Sequence, residues 1–373
     1  VTVEPPIPWS SSTGSPRFRP RPLHLCVVAG VLPVGNVSGV LHQPDESEAA
    51  VNPPRVLIVG AGMAGLTAAQ RLEDQGIGTL VLDKGRAPGG RMATRSVGNA
   101  RFDHGAQHFS ARSSRFRAEV DAWMEQGLAR EWFRSESLTI PGRGMERRHV
   151  GVGGMRRIPE ALAAGLDVRT AVTVDRLEAV DEGVAVVAGE DVVAVGMAVI
   201  LTPPVPQSRR LLETSGVSLP GRVGEMLDEV HYDPCLAVMA RLEGPSGLPV
   251  GHRSLGDGPI AWIADNHHKG ISAVPAVTIH STPEFSLAHL GDEPDRWLSM
   301  LCQAAATHLE SPIAQAIAHR WRHAQPRVTL DTGAVGADVG FPLVLAGEVF
   351  SGARVEGAHT SGEAAAALVA EHL

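Results

Sequence analysis

Gly60, Gly62 and Gly65 stand as G-x-G-x-x-G directly after Val56–Val59, a β-branched run suited to a buried parallel strand. That spacing serves a phosphate. The first glycine permits a tight turn, the second lets the main chain approach a pyrophosphate with no Cβ in between, and the third lets the next helix lie close to the strand. The helix, predicted over Ala64 to Gln75, aims its unpaired N–H groups and positive dipole end at the same anion. Roughly 20 residues further on, the run Thr79 to Leu82 ends in Asp83, whose carboxylate can accept adenosine ribose hydroxyls and would repel a 2′-phosphate. Together these elements predict a βαβ unit that binds an adenine dinucleotide.

A second glycine-rich loop follows the acid, Gly85-Arg86-Ala87-Pro88-Gly89-Gly90-Arg91. A dehydrogenase that binds only NAD does not require it. The G-R-x-x-G-G-R pattern resembles the FAD-binding flavoprotein oxidoreductases of the amine-oxidase superfamily. The resemblance implies that Arg91 and the loop glycines lie along the FAD pyrophosphate, a task that suits a permanently charged, bidentate guanidinium. Near the far end, Pro342 to Ala346 reads as a strand leading to Gly347-Glu348, and Arg354-Val355-Glu356-Gly357-Ala358 opens an alanine-rich helix. In these flavoproteins the Gly-acid pair meets the ribityl chain, and the last helix points its N-terminus at flavin N1 and O2, where reduction places negative charge.

Between those ends, Asp103-His104-Gly105-Ala106-Gln107-His108-Phe109, Ile260 to Asn266, Ile279 to Ser286 and His319 to Pro326 occur in order. With Arg354 to Ala358 they resemble the bacterial renalase-like flavoproteins, over nearly all of 55–373. The resemblance implies a cofactor set of Gly60, Gly62, Met63, Ala64 and Gly65 at the first turn, and Asp83, Lys84, Arg86, Gly90, Arg91 and Met92 beyond it. Gly105, Ala106 and Gln107 would join them along the flavin, with Gly347, Glu348, Glu356, Gly357 and Ala358 at the C-terminal end. FAD is expected without a covalent link, because the C-terminal segment has no Cys and no His-flavin attachment motif is recognisable. His280, Trp321 and Gln107 are the candidate catalytic residues. The implied reaction oxidises 2- or 6-dihydro-NAD(P) to NAD(P)+ by hydride transfer to flavin N5, with dioxygen accepting the electrons and leaving as hydrogen peroxide.

Amine oxidation is the competing reading, with a flavin-dependent desaturase or isomerase, or a structural flavin in a partner complex, behind it. Many amine oxidases of this superfamily set a lysine near flavin N5 and frame the amine with aromatic rings. Lys84 and Lys269 are the chain's two lysines, and Tyr232 its single tyrosine. Lys84 belongs to the adenosine end and Lys269 to the turn His267-His268-Lys269-Gly270, so neither is convincing in that role. His267 and His268 are expected to be solvated. Removing hydride from a dihydropyridine requires no base, whereas amine oxidation needs the neutral amine. His104 and His108 have the spacing of a helical metal pair, but Gly105 argues against a helix there and no metal is expected.

A net charge of −8 and a pI near 6.1 argue against nucleic acid or an anionic membrane as partner. No apolar run is long enough to span a bilayer. The three cysteines, Cys26, Cys235 and Cys302, are scattered, which favours a reducing, cytoplasmic setting. The partner is therefore read as a small molecule, a dihydronicotinamide dinucleotide or an amine. The expected fold is α/β: a Rossmann-like FAD-binding domain from 55–109, 146–206 and 327–373, with an inserted α+β substrate-binding domain from 110–145 and 207–326. Residues 1–54, rich in proline and without period, are expected to be a disordered tail.

Overall fold

The computed structural model describes residues 56–136, 144–181 and 183–373. The tail expected over 1–54 lies outside the described residues. In the parallel sheet, β1 (Val56–Val59) pairs with β2 (Thr79–Asp83) on one side and β11 (Ala198–Leu201) on the other. The full order is β17 (Val335–Asp338), β18 (Pro342–Leu345), β11, β1, β2 and β7 (Val168–Thr170), with β17 alone antiparallel to its neighbour.

The apolar runs behave as strands buried on both faces. Val56 and Ile58 face one apolar cluster, with α1 (Met63–Glu73), α3 (Arg157–Ala163) and α8 (Val355–Ala370). Leu57 and Val59 face the opposite cluster, with α4 (Val205–Thr214) and the antiparallel meander β8 (Arg176–Val180), β9 (Gly183–Ala188) and β10 (Asp191–Gly196). Alternation along a strand sends neighbouring side chains to opposite faces, so alternate residues of β1 anchor the two layers. Each fully buried Val, Leu or Ile contributes roughly 1.5–3 kcal/mol. Strand β7 ends at Thr170, after which Ala171 takes a left-handed φ of 58 and its N–H bonds the Gly85 carbonyl.

A five-stranded antiparallel sheet stands apart, in the order β13 (His252–Ser254), β14 (Ile260–Asp265), β15 (Ala276–Ser281), β12 (Tyr232–Leu242) and β16 (Ile313–Pro326). One face buries Trp297 and Leu301 of α7 (Pro294–Ala306). On the other, Met239 and Ala276 pack on Ala100 and Phe102 of the hairpin formed by β3 (Thr94–Val97) and β4 (Ala100–Asp103). A second hairpin, β5 (Ala129–Glu136) with β6 (Met145–Gly151), follows α2 (Ser114–Glu125). The segment between β4 and α2 thus runs between the two large sheets, and it carries Gly105, Ala106 and Gln107.

Candidate active site

The dinucleotide turn has the shape its glycines require. Gly60 has φ +107, and a Cβ there would stand 2.3 Å from Thr202 Oγ1; a Cβ on Gly65 would stand 2.0 Å from the Gly60 carbonyl oxygen. At Gly62, by contrast, a Cβ would meet nothing within 4 Å. Gly62 is the N-cap of α1, without a side-chain cap and without an acid in the first turn. The helix therefore presents unpaired N–H groups to open space, a cradle for an anion. Met63 and Ala64, just inside it, are buried.

Asp83 locks the two glycine-rich loops together. Its Oδ2 accepts the Ala61 N–H at 2.7 Å and its Oδ1 accepts the Gly85 N–H at 2.6 Å, while Gly89 N–H bonds the Ala61 carbonyl at 2.8 Å. Each carboxylate oxygen keeps a lone pair for a ribose hydroxyl. Lys84 and Arg86 lie exposed on the rim, Lys84 reaching Gln207 Oε1 at 3.2 Å, and Met92 is buried in the core behind Gly90.

Arg91 and Glu348 form a bidentate ion pair, and Arg91 Nη1 also reaches the Ala324 carbonyl. The predicted phosphate ligand and the predicted ribityl ligand are thus partners. A guanidinium has five N–H groups, so Nε–H and one Nη2 hydrogen remain for a phosphate. Gly347 N–H is bonded to Ser361 Oγ at 2.8 Å, which fastens the turn before Glu348 to α8. Glu356 points elsewhere: its oxygens accept the main-chain N–H groups of Arg112 and Ser113 at 3.0 and 2.7 Å. Its carboxylate fixes the entry to α2, while Gly357 lets the start of α8 press against the Gly352 carbonyl and Ala358 packs on the core. Because α8 has no side-chain cap, its N-terminus too is left for a ligand.

Gly105 lies against the Arg91 main chain, with Ala106 N–H bonded to the Arg91 carbonyl at 2.8 Å. His280 Nε2 and Trp321 Nε1 both bond the His104 carbonyl, at 3.1 and 2.8 Å, and the Trp321 indole stacks on the His104 ring. Two of the three candidate catalytic residues therefore meet at one oxygen and hold the segment that carries Gly105. Burial pushes the His104 imidazole down to about 3 and that of His280 to about 4. His108, also depressed to about 3 by burial, is neutral as well. Such imidazoles are too weakly basic to collect protons near neutrality.

Lys269 corrects the sequence reading. His267 and His268 are exposed as expected, but the Lys269 side chain turns inward and is fully buried. Its Nζ lies 2.9 Å from Asp103 Oδ2, 3.4 Å from Gln107 Oε1 and 5.1 Å from the centre of the Trp132 ring. Burial pushes the ammonium pKa down against the pull of Asp103. Gln107 completes the network by donating Nε2 to the carbonyls of Asp103 and Gly105 at 2.6 and 3.0 Å. Beyond Trp132 stand Phe133, His252, Trp262 and His108, with Phe133 stacked on His252 and His252 on Trp262. Sequence reasoning missed this wall because its rings come from separate segments of the chain. The single signal available was the clustering of tryptophans outside the dinucleotide unit.

Comparison with known proteins agrees with this geometry. The model of the NAD(P)-binding Rossmann-like domain matches residues 58–123, and that of flavin containing amine oxidoreductases matches 122–370. Lysine-specific histone demethylase 1 homolog 1 of Arabidopsis thaliana is 51% identical over 47 residues, which are 13% of this chain and 6% of that protein. Hydroxyneurosporene desaturase of Rubrivivax gelatinosus is 43% identical over 58 residues, 16% of this chain and 11% of that one. The matched regions thus span only a small part of these curated relatives. Among solved structures, putrescine oxidase bound to putrescine is similar with TM-score 0.61 and 17% identity, covering 85% of this chain and 99% of that one. A protein described as a protoporphyrinogen oxidase from Exiguobacterium sp. 255-15 gives TM-score 0.65 at 15% identity, covering 86% and 99%. At such identities the likeness is one of fold. The family match extends over most of the chain, and the open α1 N-terminus, Asp83 and Arg91 fit FAD: the chain belongs to the flavin containing amine oxidoreductases and is an FAD-dependent oxidoreductase.

Proposed function

We propose that the enzyme oxidises 2- or 6-dihydro-NAD(P) to NAD(P)+, with dioxygen taking the electrons and leaving as hydrogen peroxide. The bound FAD would supply the two-electron acceptor for the substrate's hydride. The observation that carries this reading is the internal use of the site's charges. Asp103 is paired with Lys269, Glu348 with Arg91, and Glu356 with two main-chain amides. An ammonium ion entering the site finds none of these carboxylates free, and an isolated buried charge is expensive. A dihydropyridine ring is neutral and becomes aromatic by losing hydride, so the neutral imidazoles of His104, His108 and His280 suit it. The protein's task is then positioning. Gln107, with both ends of its amide held, would orient the ring, while His280 and Trp321 fix the main chain beside it.

In the same reading, 55–109, 146–206 and 327–373 hold the cofactor and 110–145 and 207–326 the substrate. The free thiols of Cys235 and Cys302 support a cytoplasmic setting. One observation favours amine oxidation instead: Lys269 is buried, its pKa is lowered, and it sits against an aromatic wall. Oxygen uptake and peroxide release with dihydronicotinamide isomers, set against monoamines and putrescine, separates the two readings. Turnover of the isomers alone supports the proposal; turnover of an amine alone reverses it.

A further inference from the structure

A cavity of about 380 Å³ opens between α2 and β6. Its mouth is charged and its floor is buried: Arg117, Asp121, Met145 and Arg147 are exposed, whereas Val120 and His149 are buried. Glu146, in its wall, is shared by two guanidiniums, Arg112 Nε at 2.9 Å and Arg148 Nη1 at 3.2 Å, and Arg147 Nε pairs with Glu131 at 3.4 Å. Arg117 Nη1 donates to the Arg112 carbonyl at 2.8 Å, and no carboxylate lies within ion-pair distance of this guanidinium among the described residues. Most of its fork of donors is therefore left for a ligand. Asp121 stands exposed on the rim, where water and salt screen it. At the floor, His149 is 5% exposed and its Nδ1 is buried without a hydrogen-bond partner. Burial pushes the His149 pKa down, so the ring is neutral and Nδ1 can carry a hydrogen. A buried polar atom with no partner is rare in a native protein and calls for one.

We propose that this cavity binds the phosphate group of a small phosphate ester, with Arg117 and His149 as its principal donors. A carboxylate has two oxygens in one plane, whereas a phosphate monoester turns three oxygens in different directions, which suits a guanidinium at the mouth and an imidazole at the floor. The volume leaves room for the group that the phosphate esterifies. The site also bears on the chemistry. The His149 main chain exchanges hydrogen bonds of 2.9 and 2.7 Å with Phe109, two residues after Gln107, and the Arg112 N–H is held by Glu356 of α8 at 3.0 Å. The inference goes beyond the dihydronicotinamide reading and holds whichever substrate is oxidised. The phosphate of a dinucleotide substrate and that of a separate ester are two sources of the same chemistry.

The test uses the FAD-loaded enzyme with Arg117→Ser, Arg117→Lys and His149→Phe, and calorimetry with glycerol phosphate, which reads binding without turnover. The proposal expects saturable binding to the unsubstituted enzyme, weakened at least about tenfold by Arg117→Ser and by His149→Phe and partly restored in Arg117→Lys, with FAD content unchanged in both Arg117 variants. No binding to the unsubstituted enzyme overturns it, and so does equal binding by Arg117→Ser. Should His149→Phe fail to fold, the exposed Arg117 decides alone. Steady-state kinetics then separate the sources, both of which uphold the site: glycerol phosphate that raises the KM of a dinucleotide substrate competitively gives the site to the substrate's own phosphate, and binding that leaves that KM unaltered gives it to a separate ester. If no dihydronicotinamide isomer reduces the flavin, the oxidation reading fails, and calorimetry still decides the cavity.

Discussion

Lys269 Nζ and Asp103 Oδ2 meet at 2.9 Å with both side chains fully buried, joining positions 166 residues apart. Around them Asp103 also accepts Thr94 Oγ1, the Met155 N–H and, at its carbonyl, Gln107 and Thr278, while its own N–H goes to Asn266. This knot ties the β3–β4 hairpin to the antiparallel sheet and sets the orientation of the Gln107 amide.

Removing one partner strands the other charge without water. Lys269→Met or Asp103→Asn should each cost about 3–5 kcal/mol, and the double variant less than their sum, because it buries no lone charge. Urea unfolding of the FAD-loaded protein measures this. Single variants within about 1 kcal/mol of the parent, in the range of an exposed pair, would contradict the buried geometry.

FAD should be bound tightly but not covalently, so acid precipitation should leave the yellow colour in the supernatant. Arg91→Ala should release FAD more readily than Asp83→Ala. It removes donors left for a phosphate and also leaves Glu348 buried without its partner, whereas Asp83 loses hydrogen bonds worth on the order of 1.5–3 kcal/mol. Flavin-to-protein ratios after dialysis give the result. Full occupancy in both variants would remove the dinucleotide assignment.

Much of this candidate site was legible because its signals are local. Gly60 needs its left-handed φ, Gly65 its close approach, and β2 ends in an acid, each within one βαβ unit. Lys269 was not legible. A His-His-Lys-Gly turn reads as solvated, and its partner belongs to a different sheet system far along the chain. The wall of His108, Trp132, Phe133, His252 and Trp262 likewise draws on separate segments that only tertiary packing unites. Arg91 and Glu348 are each expected from the sequence as cofactor ligands, but their pairing with one another depends on where β18 enters the sheet.

Acid should weaken the fold through its neutral imidazoles. His104 and His108 are depressed to about 3 and His280 to about 4, chiefly by burial, whereas an unfolded histidine titrates near 6.5. Below about pH 6.5 the unfolded chain binds more protons, so stability is present above that pH and falls as pH drops toward about 4. The loss is up to ~1.4 kcal/mol per pH unit for each imidazole. Denaturation midpoints at several pH values should show the trend, and His104→Asn should reduce the slope by about one proton. An unaltered slope would mean that His104 is protonated in the native protein.

His280→Ala and Trp321→Ala each free one hold on the His104 carbonyl. Rapid mixing should show slower flavin reduction by substrate, by about tenfold for a misplacement of this kind, with reoxidation by dioxygen nearly unchanged. Equal slowing of both half-reactions would place these residues in general support of the fold.

The most direct test of the proposed reaction is anaerobic mixing of the FAD-loaded enzyme with 2-dihydro-NAD(P), 6-dihydro-NAD(P), a monoamine or putrescine, each near stoichiometric, while oxidised-flavin absorbance is followed. The account predicts rapid, stoichiometric bleaching by at least one dihydronicotinamide isomer and none by either amine. Bleaching by an amine, with none by either isomer, would contradict it and move Lys269 and its aromatic wall to the centre of the chemistry.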